Sequence, residues 1–194
     1  MSKSDYASAS ADVATKKLLA ELKTRARLRL NALRDADPAV VTYAQWISKK
    51  RRWAVPPEWK LQHAFNIAST EIGFRDWVHA RRVLSGLAKP GDDMGGFWHD
   101  YRCELLLNNW FAHYEEAKEF QRQTIERWLF PYAKQFVVGD ANFIKTLLLD
   151  PALPLWEQID RDLVACYGNA AWQQLCAARL TATRGLAPPI SGRF

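Results

Sequence analysis

His99, Asp100 and Cys103 fall within one short stretch, with His113 and Glu116 a little further on. These residue types hold zinc, and the His99–Cys103 spacing is permissible for one pair of ligands. A zinc site needs three or four converging ligands, and no second pair at C-x2-4-C, H-x3-5-H or HExxH spacing follows. The stretch therefore reads as a polar loop beside Trp98 with one core thiol, and no metal is expected. Tyr114, Glu115, Glu116 and Glu119 offer paired carboxylates for acid–base chemistry, but the same glutamates make an ordinary solvated helix face. His63 and His79 fall on opposite arms of a helical hairpin and read as hydrogen-bonded structural histidines. No serine stands in a GxSxG elbow, no cysteine has a Cys-His context, and no glycines have phosphate-loop spacing. No catalytic residue and no cofactor is assigned, and the sequence leans away from an enzyme.

Charge is the stronger signal. The formal net charge of +6 is unevenly spread: residues 1–90 hold 17 Lys+Arg against 8 Asp+Glu, and residues 91–194 hold 10 against 13. A basic first half can face a polyanion, or dock on the acidic second half. Lys49, Lys50, Arg51 and Arg52 run together beside Trp53. That cluster reads as favourable charge at a helix C-terminus or, alternatively, as a phosphate-contacting patch with an aromatic neighbour.

The elements that would position these residues are mostly helical. Residues 1–11, Ser/Ala-rich and polar, are expected to be disordered, with Asp12 capping a helix that runs to Arg34. In it Leu18, Leu19, Leu22, Ala26, Leu30 and Leu33 share a face, flanked by Lys16, Lys23, Arg27 and Arg34, with Arg29 intruding on the apolar arc. Asp37-Pro38 opens a second helix through Trp46 to Lys50. A helical hairpin follows over 59–87. Its first arm buries Leu61, Phe65, Ala68 and Ile72, Gly73 serves as a left-handed cap, and Trp77, Ala80, Leu84 and Leu87 lie on the second arm. A helix-turn-helix DNA reader shares this outline, but Ser69 and His79 stand where such motifs want a small and an apolar residue.

Residues 89–96, KPGDDMGG, read as a linker or loop and the best domain boundary, separating a basic helical region 12–88 from a second region 97–184. There Cys103–Leu107 is expected as a strand that pairs with Phe136–Val138 in a minor two-stranded antiparallel hairpin. A helix from Trp110 to Trp128 lies between them, stopped by Pro131. Helices follow over 141–149, 155–166 and 170–183, then a tail at 185–194. The fold class is mainly α.

Leu61-Gln62-His63-Ala64, Ala68 and Gly73-Phe74-Arg75-Asp76-Trp77 resemble the small helical module of bacterial glyoxalase-related proteins. The metal-binding glyoxalase domain has no counterpart here, so the resemblance implies no activity. Asn108-Asn109-Trp110-Phe111, Tyr114 to Ala117, Pro131-Tyr132 to Val138 and Leu149-Asp150-Pro151 are similar to a bacterial family without assigned function.

Of 194 residues 48% are hydrophobic and 25% charged, with nine Trp and three Cys. That composition suits a globular chain with a filled core. Apolar runs are far shorter than the roughly 20 residues of a membrane span. The odd cysteine count without CxxC spacing, and the lack of a signal peptide, predict a cytoplasmic setting. The leading expectation is a non-catalytic binding protein whose basic half contacts nucleic acid or an acidic protein partner. Its contact residues would be Lys16, Lys23, Arg27, Arg34, Lys49, Lys50, Arg51, Arg52, Arg75, Arg81 and Arg82. The alternative is a small-molecule-binding or enzymatic protein with an aromatic cleft. Trp98, Trp110, Tyr114, Trp128 and Tyr132 would line it, with His99, His113 and Glu116 as its polar groups. A third is a protein-interaction module, and the opposite charges of the two halves also allow a homo-oligomer.

Overall fold

Helix α1 (Lys3–Arg34) gathers the first half around it. The computed structural model describes residues 3–185, with side chains from Val13 onward. Leu18, Leu22, Ala26, Leu30 and Leu33 form the buried stripe expected of the helix. Its start at Lys3 corrects the expected disorder before Asp12, because alanine in that Ser/Ala stretch carries the highest helix propensity. Arg29, the intruder in the stripe, is accommodated by Glu71, whose Oε1 lies 2.9 Å from its Nε.

Helix α2 (Pro38–Lys50) begins where the sequence places it. The Asp37 carboxylate accepts from the Ala39 and Val40 amides at 3.0 and 3.2 Å, and Pro38 supplies the first helical φ. The hairpin consists of α3 (Leu61–Glu71) and α4 (Trp77–Leu84), the latter capped by Asp76, which accepts from the His79 amide at 2.8 Å. Phe65 stacks on Trp77 with ring centroids 4.8 Å apart. Val83 is buried on the second arm, whereas Leu87, expected there, lies past the helix end and is exposed.

The 89–96 segment is stitched into the fold on both sides. Gly96 N donates to Gly73 O at 2.7 Å, and Met94 and Gly95 exchange backbone hydrogen bonds with Ala133. His79 Nε2 meets the Asp93 carbonyl at 2.7 Å while Nδ1 accepts from the Arg75 amide, so this histidine latches the loop to the hairpin. One buried apolar cluster runs from Leu22 and Ala26 of α1 through Phe74 and Phe97 to Trp156, Trp172 and Leu175. It is continuous across the expected boundary.

The second half carries a three-stranded antiparallel sheet in the order β1-β3-β2, made of β1 (Asn109–Phe111), β2 (Trp128–Tyr132) and β3 (Gln135–Gly139). Trp110 and Phe130 both pair with Val137. Cys103–Leu107 is not a strand. A 3-10 helix spans Tyr101–Leu105, nucleated by the Asp100 carboxylate on the Arg102 amide. The expected helix 110–128 is only α5 (Tyr114–Arg122), and Pro131, rather than stopping it, sits within the outer strand β2. Helices α6 (Ala141–Thr146), α7 (Leu155–Gln158) and α8 (Ala170–Ala182) complete the chain. The expected helix 155–166 breaks after one turn, where Asp160 and Arg161 adopt positive φ of 50° and 53°. From residue 186 the expected tail lies outside the described residues.

The fold is thus mainly α, eight α-helices with one small sheet among the described residues. No helix there is long and apolar enough to cross a membrane.

Candidate functional site

Helix α8 presents Ala171, Trp172, Leu175, Cys176 and Leu180 to the core, and Arg179 falls on the same buried face. Its guanidinium is held by two backbone carbonyls: Nε donates to Phe97 O at 2.6 Å and Nη1 to Leu147 O at 2.7 Å. The side chain also lies over the Phe97 ring, at 5.6 Å from its centroid. No carboxylate lies within ion-pair distance of it among the described residues. Burial pulls its pKa down to about 10, with Asp100 opposing, so the group remains charged at neutral pH. A buried cation without a counterion is costly.

The space beside it is a cleft of about 540 Å³. One wall comes from α1 and α2 (Arg25, Tyr43, Trp46, Lys50, Arg51), and Glu71 to Gly73 at the end of α3 form the base. The other wall is the 96–104 loop, with His99, Asp100, Arg102 and Glu104, together with Tyr132 of β2 and Thr183 after α8. Five cationic side chains thus face three carboxylates, and two of those carboxylates are already engaged. Asp100 is held by Arg102 through contacts of 2.8 and 3.1 Å. Burial raises the Asp100 carboxyl, but the Arg102 bonds outweigh it and keep its pKa below the usual range. Glu71 pairs with Arg29; burial pushes its carboxyl up and Arg29 pulls it back. Arg25 pairs with Glu21 at 3.2 Å and donates to the Leu180 carbonyl. Arg51 forms no ion pair among the described residues.

His99 sits at the aromatic end of the cleft. Its ring centre lies 5.2 Å from Trp110, 5.0 Å from Tyr132 and 5.9 Å from Phe143. Its Nε2 is buried without a partner, and burial lowers its pKa, with Glu104 and Asp100 opposing. Neither ring nitrogen is hydrogen-bonded to another described residue.

The expected residues are placed as follows. Lys16, Lys23, Arg27 and Arg34 are exposed along α1, and Lys49, Lys50, Arg51 and Arg52 are exposed at the end of α2. Arg75, Arg81 and Arg82 are exposed on or before α4, with Arg75 paired to Asp76 at 3.3 Å and Arg82 to Asp92 at 2.6 Å. Only Lys50 and Arg51 of these reach the cleft. The eight residues of the expected aromatic cleft do not form one. Trp98 and Trp128 are core residues, as expected of large indoles with apolar neighbours. Tyr114 packs elsewhere, donating to Asp162 at 2.7 Å. His113 and Glu116 point to solvent at the start of α5, and only His99, Tyr132 and the adjoining Trp110 come together.

Arg179, Arg25 and Arg102 were not singled out by sequence. The signal for Arg179 was an arginine within the apolar stripe of a helix, the same irregularity that Arg29 shows in α1. No group of three or more His, Cys, Asp or Glu that could hold a metal occurs among the described residues. Compared with known proteins, the chain matches no family model, no curated protein and no solved structure.

Proposed function

We propose that this protein binds a small organic anion in the cleft between its basic first half and its aromatic second half, without turning it over. The observation that carries the reading is Arg179: a buried guanidinium anchored on two carbonyls, bordering a cleft, with no carboxylate in ion-pair range among the described residues. An anion there supplies the missing counterion in a partly desolvated site, where charge-assisted hydrogen bonds are strong. The tyrosines, Trp46 and His99 suit a ligand with a flat apolar part. Binding rather than catalysis is favoured because no side chain among the described residues hydrogen-bonds His99 to orient it as a base. Burial also pushes the neighbouring Cys103 thiol up to about 11.

Isothermal titration with phenyl phosphate, benzoate and inorganic phosphate tests this. Phenyl phosphate is expected to bind, and Arg179→Gln to weaken it about 10- to 100-fold, the worth of a charge-assisted bond. Arg51→Ala, at an exposed position, weakens it several-fold without loss of fold. Silence with all three probes at millimolar concentration, or an unchanged affinity in both variants, sinks the reading.

A second reading, polyanion binding on the outer surface, has its own support. Lys16, Lys23, Arg27 and Arg34 fall on α1 seven, four and seven residues apart, and all are exposed. A nucleic acid lying there gives affinity that drops steeply with salt. Changing Lys49, Lys50, Arg51 and Arg52 to Ala flattens the slope of log K against log salt by about 3 to 4 if all four touch phosphate. Fluorescence anisotropy with mixed DNA and RNA probes reads this directly, and no binding at low salt rejects it.

A further inference from the structure

Resting on the cleft reading above, we propose that the ligand is a phosphate monoester whose charged head lies between Arg179 and His99, and that its binding draws one proton from solution into the site. Charge comes first. The cleft carries five cationic side chains against three carboxylates, an excess that a dianion neutralises and a monocarboxylate only halves. A phosphate monoester near neutral pH carries close to two negative charges and offers three acceptor oxygens. Arg179 spends Nε and Nη1 on backbone carbonyls, while Nη2 has no partner among the described residues.

His99 supplies the second point of contact. Its Nε2 is buried without a partner, and the ring stands among Trp110, Tyr132 and Phe143. The hydrogen of the neutral ring is best placed on Nε2, against those aromatic faces, because Nδ1 is not buried in the same way and the residue borders the cleft. In the proposed pose Nδ1 is then a bare acceptor turned toward the anion. Two acceptors cannot share a contact without a proton between them. With the ring hydrogen kept on Nε2, binding takes one proton from solvent, shared between Nδ1 and a phosphate oxygen, and no other bond is made or broken.

The groups around His99 fit this. Asp100 is occupied by Arg102, and Glu104 is exposed on the 3-10 helix. Tyr132 from β2 and Arg179 from α8 also act on it, and Trp110 of β1 and Phe143 of α6 pack against the ring. Across the cleft, Glu71 is engaged by Arg29, and Lys50 and Arg51 add positive charge. In the free protein burial keeps His99 neutral, and a bound anion within a few ångströms reverses that preference. The sign follows: the bound pKa is higher than the free one. Affinity therefore rises as pH falls from the bound value toward the free value.

The test is calorimetry of phenyl phosphate with the full chain at pH 7.5 in PIPES and in Tris, whose ionisation enthalpies differ widely. Uptake of about 0.5 to 1 proton per ligand is expected in the wild type, falling by more than half in His99→Gln. Phenyl sulfate, which carries one negative charge instead of nearly two, should bind at least about tenfold more weakly. An NMR titration of the His99 ring, which needs no variant, should show its pKa rising by about two units or more with phenyl phosphate bound. Binding without proton uptake, or uptake unchanged in His99→Gln, overturns this inference and leaves the anion cleft standing. No binding of phenyl phosphate, benzoate or inorganic phosphate overturns the cleft reading and this inference with it.

Discussion

Gly73→Ala is expected to lower stability by about 3 to 5 kcal/mol, combining backbone strain with overpacking against rigid atoms. Gly73 has φ +94°, a conformation that side chains resist. A Cβ there would stand 2.5 Å from Gly96 C, 2.7 Å from Gly96 O and 2.8 Å from Phe97 N. These are backbone atoms, held by the Gly96–Gly73 hydrogen bond, and cannot swing aside as a lysine tip would. The same turn forms the base of the cleft, so what survives folding should also bind anions more weakly. Gly91 provides the control: its φ is +83°, but an added Cβ meets nothing within 4 Å. Gly91→Ala therefore pays strain alone, about 1 kcal/mol. Urea denaturation of the two variants measures the difference, and a Gly73→Ala loss below about 1 kcal/mol rejects the packing account.

Asp162→Ala should cost about 3 to 5 kcal/mol, the penalty for breaking a buried charge network from one side. Asp162 is 1% exposed, and its Oδ1 accepts from the Val164 and Ala165 amides, both at 2.9 Å. Its Oδ2 accepts from Tyr114 Oη at 2.7 Å and faces Lys118 Nζ at 3.1 Å. Burial and this bond together push the Tyr114 hydroxyl pKa up. Removing the carboxylate strands the buried Lys118 with only Asp160 at 2.9 Å, a partner whose side chain is 81% exposed. Adding Lys118→Met to the Asp162→Ala background should recover at least about 1 kcal/mol, because the stranded charge is removed. A double mutant no more stable than Asp162→Ala would show that the loss lies in the hydrogen bonds from Val164, Ala165 and Tyr114 and not in the charge pair.

Both sites show what a single sequence reveals and what it hides. Asp37, Asp76 and Asp140 accept from amides at their helix starts, and α2, α4 and α6 begin where an acidic cap precedes an apolar pattern. Capping is local, so it can be read from neighbours in the chain. The sheet is not local: β1 is three residues long, and β2 contains Pro131 and takes its partner from pairing across a turn. The missed cleft has the same cause on a larger scale, since its lining runs from Arg25 to Thr183. Counting charge by halves pointed to the basic surface. The buried guanidinium with no carboxylate in ion-pair range among the described residues, Arg179, lies instead in the acidic half, in a helix whose other inward residues are apolar apart from Gln173.

The clasp between α1 and α8 has a consequence for the order of events during synthesis. Arg25 donates to the Leu180 carbonyl across 155 residues, and Arg184 grips Glu21, at 2.6 and 3.0 Å, across 163. At roughly 5 to 20 residues per second, a ribosome needs about 8 to 30 s to deliver α8 after α1 has emerged. During that interval α3 can cover part of the leucine stripe of α1, while the strip destined for α8 stays open to water and to chaperones. The cleft therefore closes late, when Arg179 arrives between Phe97 and Leu147.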